Sequence, residues 1–163
     1  MRVLILGVGN VLLSDEGLGV RLVERLPSVC ALPSTVEVLD GGTCGMEMLE
    51  QLEDLDALIL VDAIRSGRRP GTPIRLADDE VPTFFATKLS PHQIGISDVL
   101  ATLALLGRSP KSTVIIGLEP RSLVLGTTLS REIEAAMPKL LDLVIAELVR
   151  LGADVSRRPE AVC

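Results

Sequence analysis

Residues 3–19, Val3-Leu-Ile-Leu-Gly-Val-Gly-Asn-Val-Leu-Leu-Ser-Asp-Glu-Gly-Leu-Gly19, decide the fold. The opening apolar run has no polar alternation, which is the pattern of a parallel strand covered by helices on both faces. Gly7, Gly9 and Asn10 then turn the chain. A helix is expected from Asp15 to Leu26, with Ser14 as its N-cap and Pro27 as its stop. The residues just after such a strand lie at the carboxyl end of an open α/β sheet, where ligands bind. Two adjacent carboxylates, Asp15 and Glu16, are therefore delivered to the expected site. A dinucleotide fingerprint is the nearest other reading, with Gly7-x-Gly9 after a strand and Asp40 ending the next. It fails because the third glycine position is Leu12, and because Asp15 and Glu16 would repel a pyrophosphate at the helix start. Oxygen ligands there suit a metal cation.

Working outward, strands are expected at Val36–Leu39, Leu58–Asp62 and Thr113–Gly117. A short strand at Pro73–Leu76 is expected to run antiparallel, since a parallel pairing would need a long crossover. Thr43 is read as the cap of a helix from Cys44 to Leu52, Val81–Phe85 as a short helical turn, and residues 88–93 as loop. Gly95–Leu106 reads as an amphipathic helix burying Val99, Leu100, Leu103, Ala104 and Leu106. Leu129–Leu151 reads as a long helix that Pro138 kinks or divides. Strands alternating with helices give a three-layer α/β/α domain with a mostly parallel sheet over residues 1–152. Residues 153–163 read as a polar, poorly ordered tail.

The chain has 163 residues, 47% hydrophobic and 1% aromatic, so one core must be built from Leu, Val, Ile and Ala. Phe84 and Phe85 are the only aromatic residues, and the net charge is −6. Base-stacking platforms are missing and phosphate backbones are repelled, which excludes nucleic acid as a partner. The apolar run at the start breaks at Gly7, unlike a signal peptide, and no apolar stretch is long enough to span a bilayer. Cys30, Cys44 and Cys163 lack C-x-x-C spacing, so neither a zinc knuckle nor a redox pair is indicated. A cytoplasmic protein without membrane insertion is expected.

His92 is the single histidine. Glu16 and Asp62 come after or at the ends of two neighbouring strands, and a loop entering the fourth helix brings His92 to the same edge. Two carboxylates and an imidazole make a three-ligand site with open positions, suited to a borderline divalent metal. The alternative is that Asp15 or Glu16 only favours a helix N-terminus, and that Asp62 caps a turn. Glu119 reads as a turn element before Pro120. No G-x-S-x-G elbow surrounds Ser14, Ser90 or Ser97, and a thiol mechanism through Cys44 and His92 ranks below the metal reading. Arg65, Arg68 and Arg69 read as a solvated loop that could also receive an acidic partner surface.

Several linked segments resemble the nickel-iron hydrogenase maturation proteases, endopeptidases that process the hydrogenase large subunit. They are Gly7-Val-Gly-Asn-Val-Leu-Leu-Ser-Asp-Glu-Gly17, Asp40-Gly-Gly-Thr-Cys-Gly45, Val61-Asp-Ala63, Pro70-Gly-Thr72 and Ser90-Pro-His-Gln-Ile-Gly95. Asp79-Glu-Val-Pro82 is similar to the version in proteases for membrane-associated uptake hydrogenases. The resemblance implies a five-stranded sheet with one antiparallel strand, of phosphorylase/hydrolase-like type. It implies that Glu16, Asp62 and His92 contact metal, with Glu16 and Asp62 as the catalytic carboxylates. It links Asp40, Gly41, Gly42 and Thr43 to substrate selection. The implied partner is the large-subunit precursor, from which a short C-terminal extension is removed after nickel insertion. The resemblance leaves the oligomeric state open, and a monomer working transiently on this larger partner is expected. Nickel would arrive with that precursor rather than be held permanently. Hydrolysis could be metal-assisted or of aspartic type. A self-sufficient zinc-type peptidase and a non-cleaving nickel-checking chaperone are the rival readings.

Overall fold

The run Val3–Val8 forms strand β1, with every residue buried. After a 3-10 turn at Ser14–Gly17 come α1 (Leu18–Val29), β2 (Cys30–Ala31) and β3 (Val36–Gly42). A second 3-10 turn, Met46–Met48, leads to α2 (Leu49–Leu52) and β4 (Ala57–Ala63). The chain continues through β5 (Pro73–Ala77), α3 (Glu80–Thr87), α4 (Pro91–Leu106), β6 (Thr113–Leu118), α5 (Arg131–Arg150) and β7 (Ser156–Arg157). This computed structural model describes residues 1–87 and 90–158.

The sheet order is β3-β1-β4-β6-β5, with β5 antiparallel to β6 and the other pairings parallel. Period-two alternation divides its residues between two cores. Val3, Ile5, Ile59 and Val61 pack with α1 and α5 through Leu22, Leu26, Leu140 and Val144. Leu4, Leu6, Leu58 and Leu60 pack with the α2–α4 side through Leu52, Phe84, Ile96 and Val99. Each fully buried aliphatic side chain contributes about 1.5–3 kcal/mol, so both layers are needed to stabilise so aromatic-poor a chain. Asp62 continues the Leu58–Leu60 row, which puts a carboxylate on the α4 face at the strand's carboxyl end. Phe84 and Phe85 make an edge-to-face pair with centroids 5.3 Å apart and belong to that layer. Across the sheet, Glu147 of α5 is buried and accepts from Arg75 of β5 (2.9 and 3.1 Å) and from Arg150.

Several boundaries differ from expectation for local reasons. Pro27 does not stop α1, which runs on to Val29 while the Ser28 hydroxyl donates to the Arg25 carbonyl (2.6 Å). Ser14 does not cap it; its φ is +51° and its hydroxyl donates to the Val124 carbonyl (2.9 Å). Thr43 caps nothing, because the 3-10 turn starts after Gly45 and α2 is only four residues long. The expected helical turn at 81–85 is the middle of α3. α4 begins at Pro91 instead of Gly95, behind a capping box in which Ser90 accepts from the Gln93 N–H and the Gln93 side chain accepts from the Ser90 N–H. Its apolar residues run all round, so Ala104, Leu105 and Leu106 are exposed rather than lining one buried side. Pro138 does not divide α5, which is continuous from Arg131 to Arg150. Of the expected loose tail, Ala153 is buried and Ser156–Arg157 pairs with Cys30–Ala31. Residues 159–163, and residues 88 and 89 of the expected loop, lie outside the described residues.

Candidate active site

Glu16, Asp62 and His92 meet at the carboxyl edge of β1 and β4, beside the first turn of α4. Two glycines let the backbones come close enough. Gly9 has φ +127°, and a Cβ there would stand 1.8 Å from the Glu16 carbonyl oxygen. At Gly117 of β6 a Cβ would stand 1.9 Å from the Asp62 carbonyl oxygen.

Asp62 is 2% exposed, and its carboxylate has three donors. Oδ1 accepts from the Ala63 N–H (2.7 Å) and faces His92 Nε2 (3.1 Å). Oδ2 accepts from Gln93 Nε2 (2.8 Å). A carboxylate can only accept, so Nε2 carries the proton in this pairing and the neutral ring keeps its lone pair on Nδ1. Nδ1 lies 3.1 Å from the Ser90 hydroxyl and 3.8 Å from Glu16 Oε1. The latter separation is too long for a hydrogen bond, and the two side chains attract there only through charge, when the ring carries both protons.

Burial pushes the Glu16 carboxyl above its ordinary value, and the charge of Asp62 adds to it. The His92 charge and the Asn10 backbone N–H offset only part of this. Burial opposes charging of His92, yet the Asp62 hydrogen bond and the charges of Asp62 and Glu16 outweigh it, so the imidazole is held above its ordinary value. Perturbed neighbours of this kind, set in a cleft, mark a functional site. The cleft has a volume of about 510 Å³ and is lined by Glu16, Arg65, Ser66, His92, Gln93 and Glu119, among others. The Glu16 side chain is 10% exposed and the Asp62 side chain 3%, so Glu16 faces the cleft while Asp62 stands behind the imidazole. Among the described residues, no group of three or more His, Cys, Asp and Glu side chains is placed to hold a metal ion between them.

The other acids at this edge are differently employed. Asp15, with 0% exposure, accepts from the N–H groups of Arg121 (2.9 Å), Ser122 (2.9 Å) and Ser130 (2.6 Å), and from the Ser130 hydroxyl (2.9 Å). It straps the segment 121–130 to the first 3-10 turn. Glu119, read from sequence as a turn element, is buried and accepts from the Ser66 N–H (2.7 Å), the Ser66 hydroxyl (2.7 Å) and the Arg68 N–H (3.1 Å). Asp40 is exposed and its Oδ1 accepts from the Gly42 N–H (2.8 Å). Asp40, Gly41, Gly42 and Thr43 do not line the cleft. They lead instead into Gly45, which packs on Gly95 of α4, where an added Cβ would stand 3.0 Å from the Gly45 Cα. Cys44 is not paired with His92, and burial together with Glu47 holds its thiol above the ordinary range. Gln93 and Ser90 are the site residues sequence reasoning missed, although Ser-Pro-x-Gln is a readable capping-box signature. No helix among the described residues is long and apolar enough to cross a membrane.

The family model of the hydrogenase maturation proteases matches residues 20–147. The hydrogenase 2 maturation protease of Escherichia coli (strain K12) is 46% identical over 159 residues, covering 97% of this chain and 97% of that protein. The hydrogenase expression/formation protein HupD of Rhodobacter capsulatus is 46% identical over 150 residues, covering 91% of this chain and 70% of that protein. Among solved structures, the hydrogenase maturating endopeptidase HybD from E. coli superposes with a TM-score of 0.94 at 45% identity, covering 99% of this chain and 100% of that one.

Proposed function

This chain belongs to the hydrogenase maturation protease family, and within that family we propose that it removes a short C-terminal extension from the nickel-loaded large-subunit precursor of a nickel-iron hydrogenase. The observation carrying this reading is that Glu16 and His92 line one cleft, with Asp62 hydrogen-bonded behind the imidazole, in a chain of this family. The precursor's nickel is substrate cargo, touched by these three residues so that the scissile bond is held in register. Asp62 accepts three hydrogen bonds, leaving about one of its four lone-pair directions for that contact. His92 offers Nδ1, because Asp62 holds the proton on Nε2.

Glu16 is the carboxylate facing the cleft, and burial makes it a stronger base than an exposed carboxylate, which suits a group that accepts a proton from water. In the proposed step, a water oxygen bonds to the scissile carbonyl carbon while its proton passes to Glu16. The C–N bond then breaks and the proton goes to the departing amine. Asp62 acts behind His92, fixing the ring's orientation and tautomer. Asp40, Gly41, Gly42 and Thr43, one layer away across Gly45 and Gly95, contribute to substrate selection through the surface beside α4.

The test is cleavage of the cognate precursor, nickel-loaded and nickel-free in parallel, read by intact mass. Loss of a C-terminal peptide from the loaded form alone is expected. Equal cleavage of both forms would remove nickel recognition from the trio, and binding without any mass change would replace the protease with a chaperone.

A further inference from the structure

Resting on that reading, we propose that Arg65, Arg68 and Arg69 form a fixed cationic rim that receives an acidic side chain of the precursor, within about four residues of the scissile bond. Three guanidiniums in five residues are unexpected in a chain of net charge −6. All three are exposed, and none makes an ion pair with a described carboxylate. Arg25, Arg75, Arg108, Arg150 and Arg157, by contrast, each meet one. Arg65 itself lines the cleft.

An exposed basic loop is usually just solvated. This one is built. Glu119 at the end of β6 is 7% exposed, and it spends its carboxylate on Ser66 and on the Arg68 N–H instead of on any guanidinium. Two backbone bonds close the same loop, from the Gly71 N–H to the Glu119 carbonyl (2.8 Å) and from the Glu119 N–H to the Thr72 carbonyl (2.9 Å). Ile64, 1% exposed, plugs the loop's start into the core. A buried carboxylate thus orders the segment without neutralising it: Arg65 lines the cleft, and Arg68 and Arg69 follow on the same exposed loop.

The field inside the cleft has the opposite sign. Glu16 and Glu119 line it and Asp62 stands behind, so an acidic side chain is repelled from the floor and drawn to the rim, while a bound cation is drawn inward. The two preferences together set the direction and register of the bound segment. Arg65 lies three residues beyond Asp62, so their Cα atoms are at most roughly 11 Å apart, about the span of three extended substrate residues. Hence the acid that meets the rim lies close to the bond being cut.

The experiment compares wild type with the triple variants R65Q/R68Q/R69Q and R65K/R68K/R69K, using full-length precursor and a series of salt concentrations. Precursor binding is measured by titration, and processing by intact mass. The glutamine triple is expected to weaken Kd and raise KM roughly tenfold at low salt, with kcat little changed and the salt dependence flattened. The lysine triple is expected to keep most of the affinity. Neutralising the precursor's acids near the cut is expected to cost wild type the same factor and the glutamine triple almost nothing more. Wild-type affinity and salt slope in the glutamine triple would overturn the rim, as would additive losses in the paired experiment. Sensitivity to adding neutral residues after the precursor's last residue, but not to neutralising those acids, would assign the contact to its terminal carboxylate and also overturn it. If wild type binds but cuts nothing, the protease reading fails while Kd still decides the rim.

Discussion

Asp15 and Glu16 are adjacent, share the edge above β1 and are both buried, yet they do different work. Asp15 is saturated by three backbone N–H groups and a hydroxyl. Glu16 faces an imidazole across 3.8 Å and an open cleft. The contrast repeats at the ends of neighbouring strands. Glu119 after β6 is occupied by Ser66 and the Arg68 N–H, whereas Asp62 in β4 engages His92 and Gln93. Burial of a carboxylate therefore does not mark a reactive centre. Fixed neutral donors spend a carboxylate on architecture; another titratable side chain and an open face leave it available for chemistry.

The largest way to break this comparison is at Asp62. Asp62→Asn should keep the fold, since an amide oxygen still accepts at Oδ1, but should lower precursor processing by roughly 10²–10⁴-fold. Circular dichroism and intact-mass kinetics on the same sample check both halves, and near-normal cleavage would place Asp62 with the architectural acids.

Glu119→Gln should show the opposite profile: a loss of about 1–2 kcal/mol at neutral pH from weakened hydrogen bonds, with kcat preserved. Its pH dependence has a definite sign. Burial tends to raise the Glu119 carboxyl, but the Ser66 hydroxyl and the N–H groups of Ser66, Arg68 and Gly67 outweigh it and hold the carboxyl below its ordinary value. The folded state thus favours the ionised form, so this stabilisation is full above the unfolded value of 4.5 and disappears as pH falls through the lower folded value. Denaturant titrations should show wild type and variant converging in acid. A constant difference down to low pH would contradict the assignment.

The smallest effect is expected at Ser90, which belongs to both categories because it caps α4 and touches His92. Ser90→Ala should cost about 1 kcal/mol of stability through the lost cap. Ser90→Asp, which restores a capping acceptor, should recover most of it in thermal melts. Recovery of stability without recovery of processing would show that the Ser90 contact with Nδ1 matters in its own right.

Much of the fold is legible in the sequence. The apolar runs of β1, β4 and β6 read correctly because buried parallel strands need no alternation, and the short Pro73 strand reads correctly as antiparallel because too few residues precede it for a crossover. Glu16, Asp62 and His92 can be grouped because each lies just past, or at, an element end on the same edge. The division of labour between Asp15 and Glu16 is not legible, since the donors to Asp15 lie more than a hundred residues away, at Arg121, Ser122 and Ser130. Glu119 is hidden in the same way by its partner at Ser66. Pro27 misleads because propensity says where proline is costly, while packing of Leu22 and Leu26 against the sheet decides whether the helix continues. The early start of α4 is readable from Ser90, Pro91 and Gln93 as a capping box, and it moves His92 from a loop onto the rigid first turn of a helix.

The most direct test of the central claim sets two isosteric variants side by side, Asp15→Asn and Glu16→Gln, in single-turnover processing of nickel-loaded precursor normalised to the folded fraction. Glu16→Gln should melt close to wild type and lose cleavage, whereas Asp15→Asn should melt lower and cut at close to the wild-type rate per folded molecule. Full cleavage by Glu16→Gln, or equal catalytic loss in both variants once folding is accounted for, would contradict the separation of these adjacent carboxylates into a reactive group and a strap.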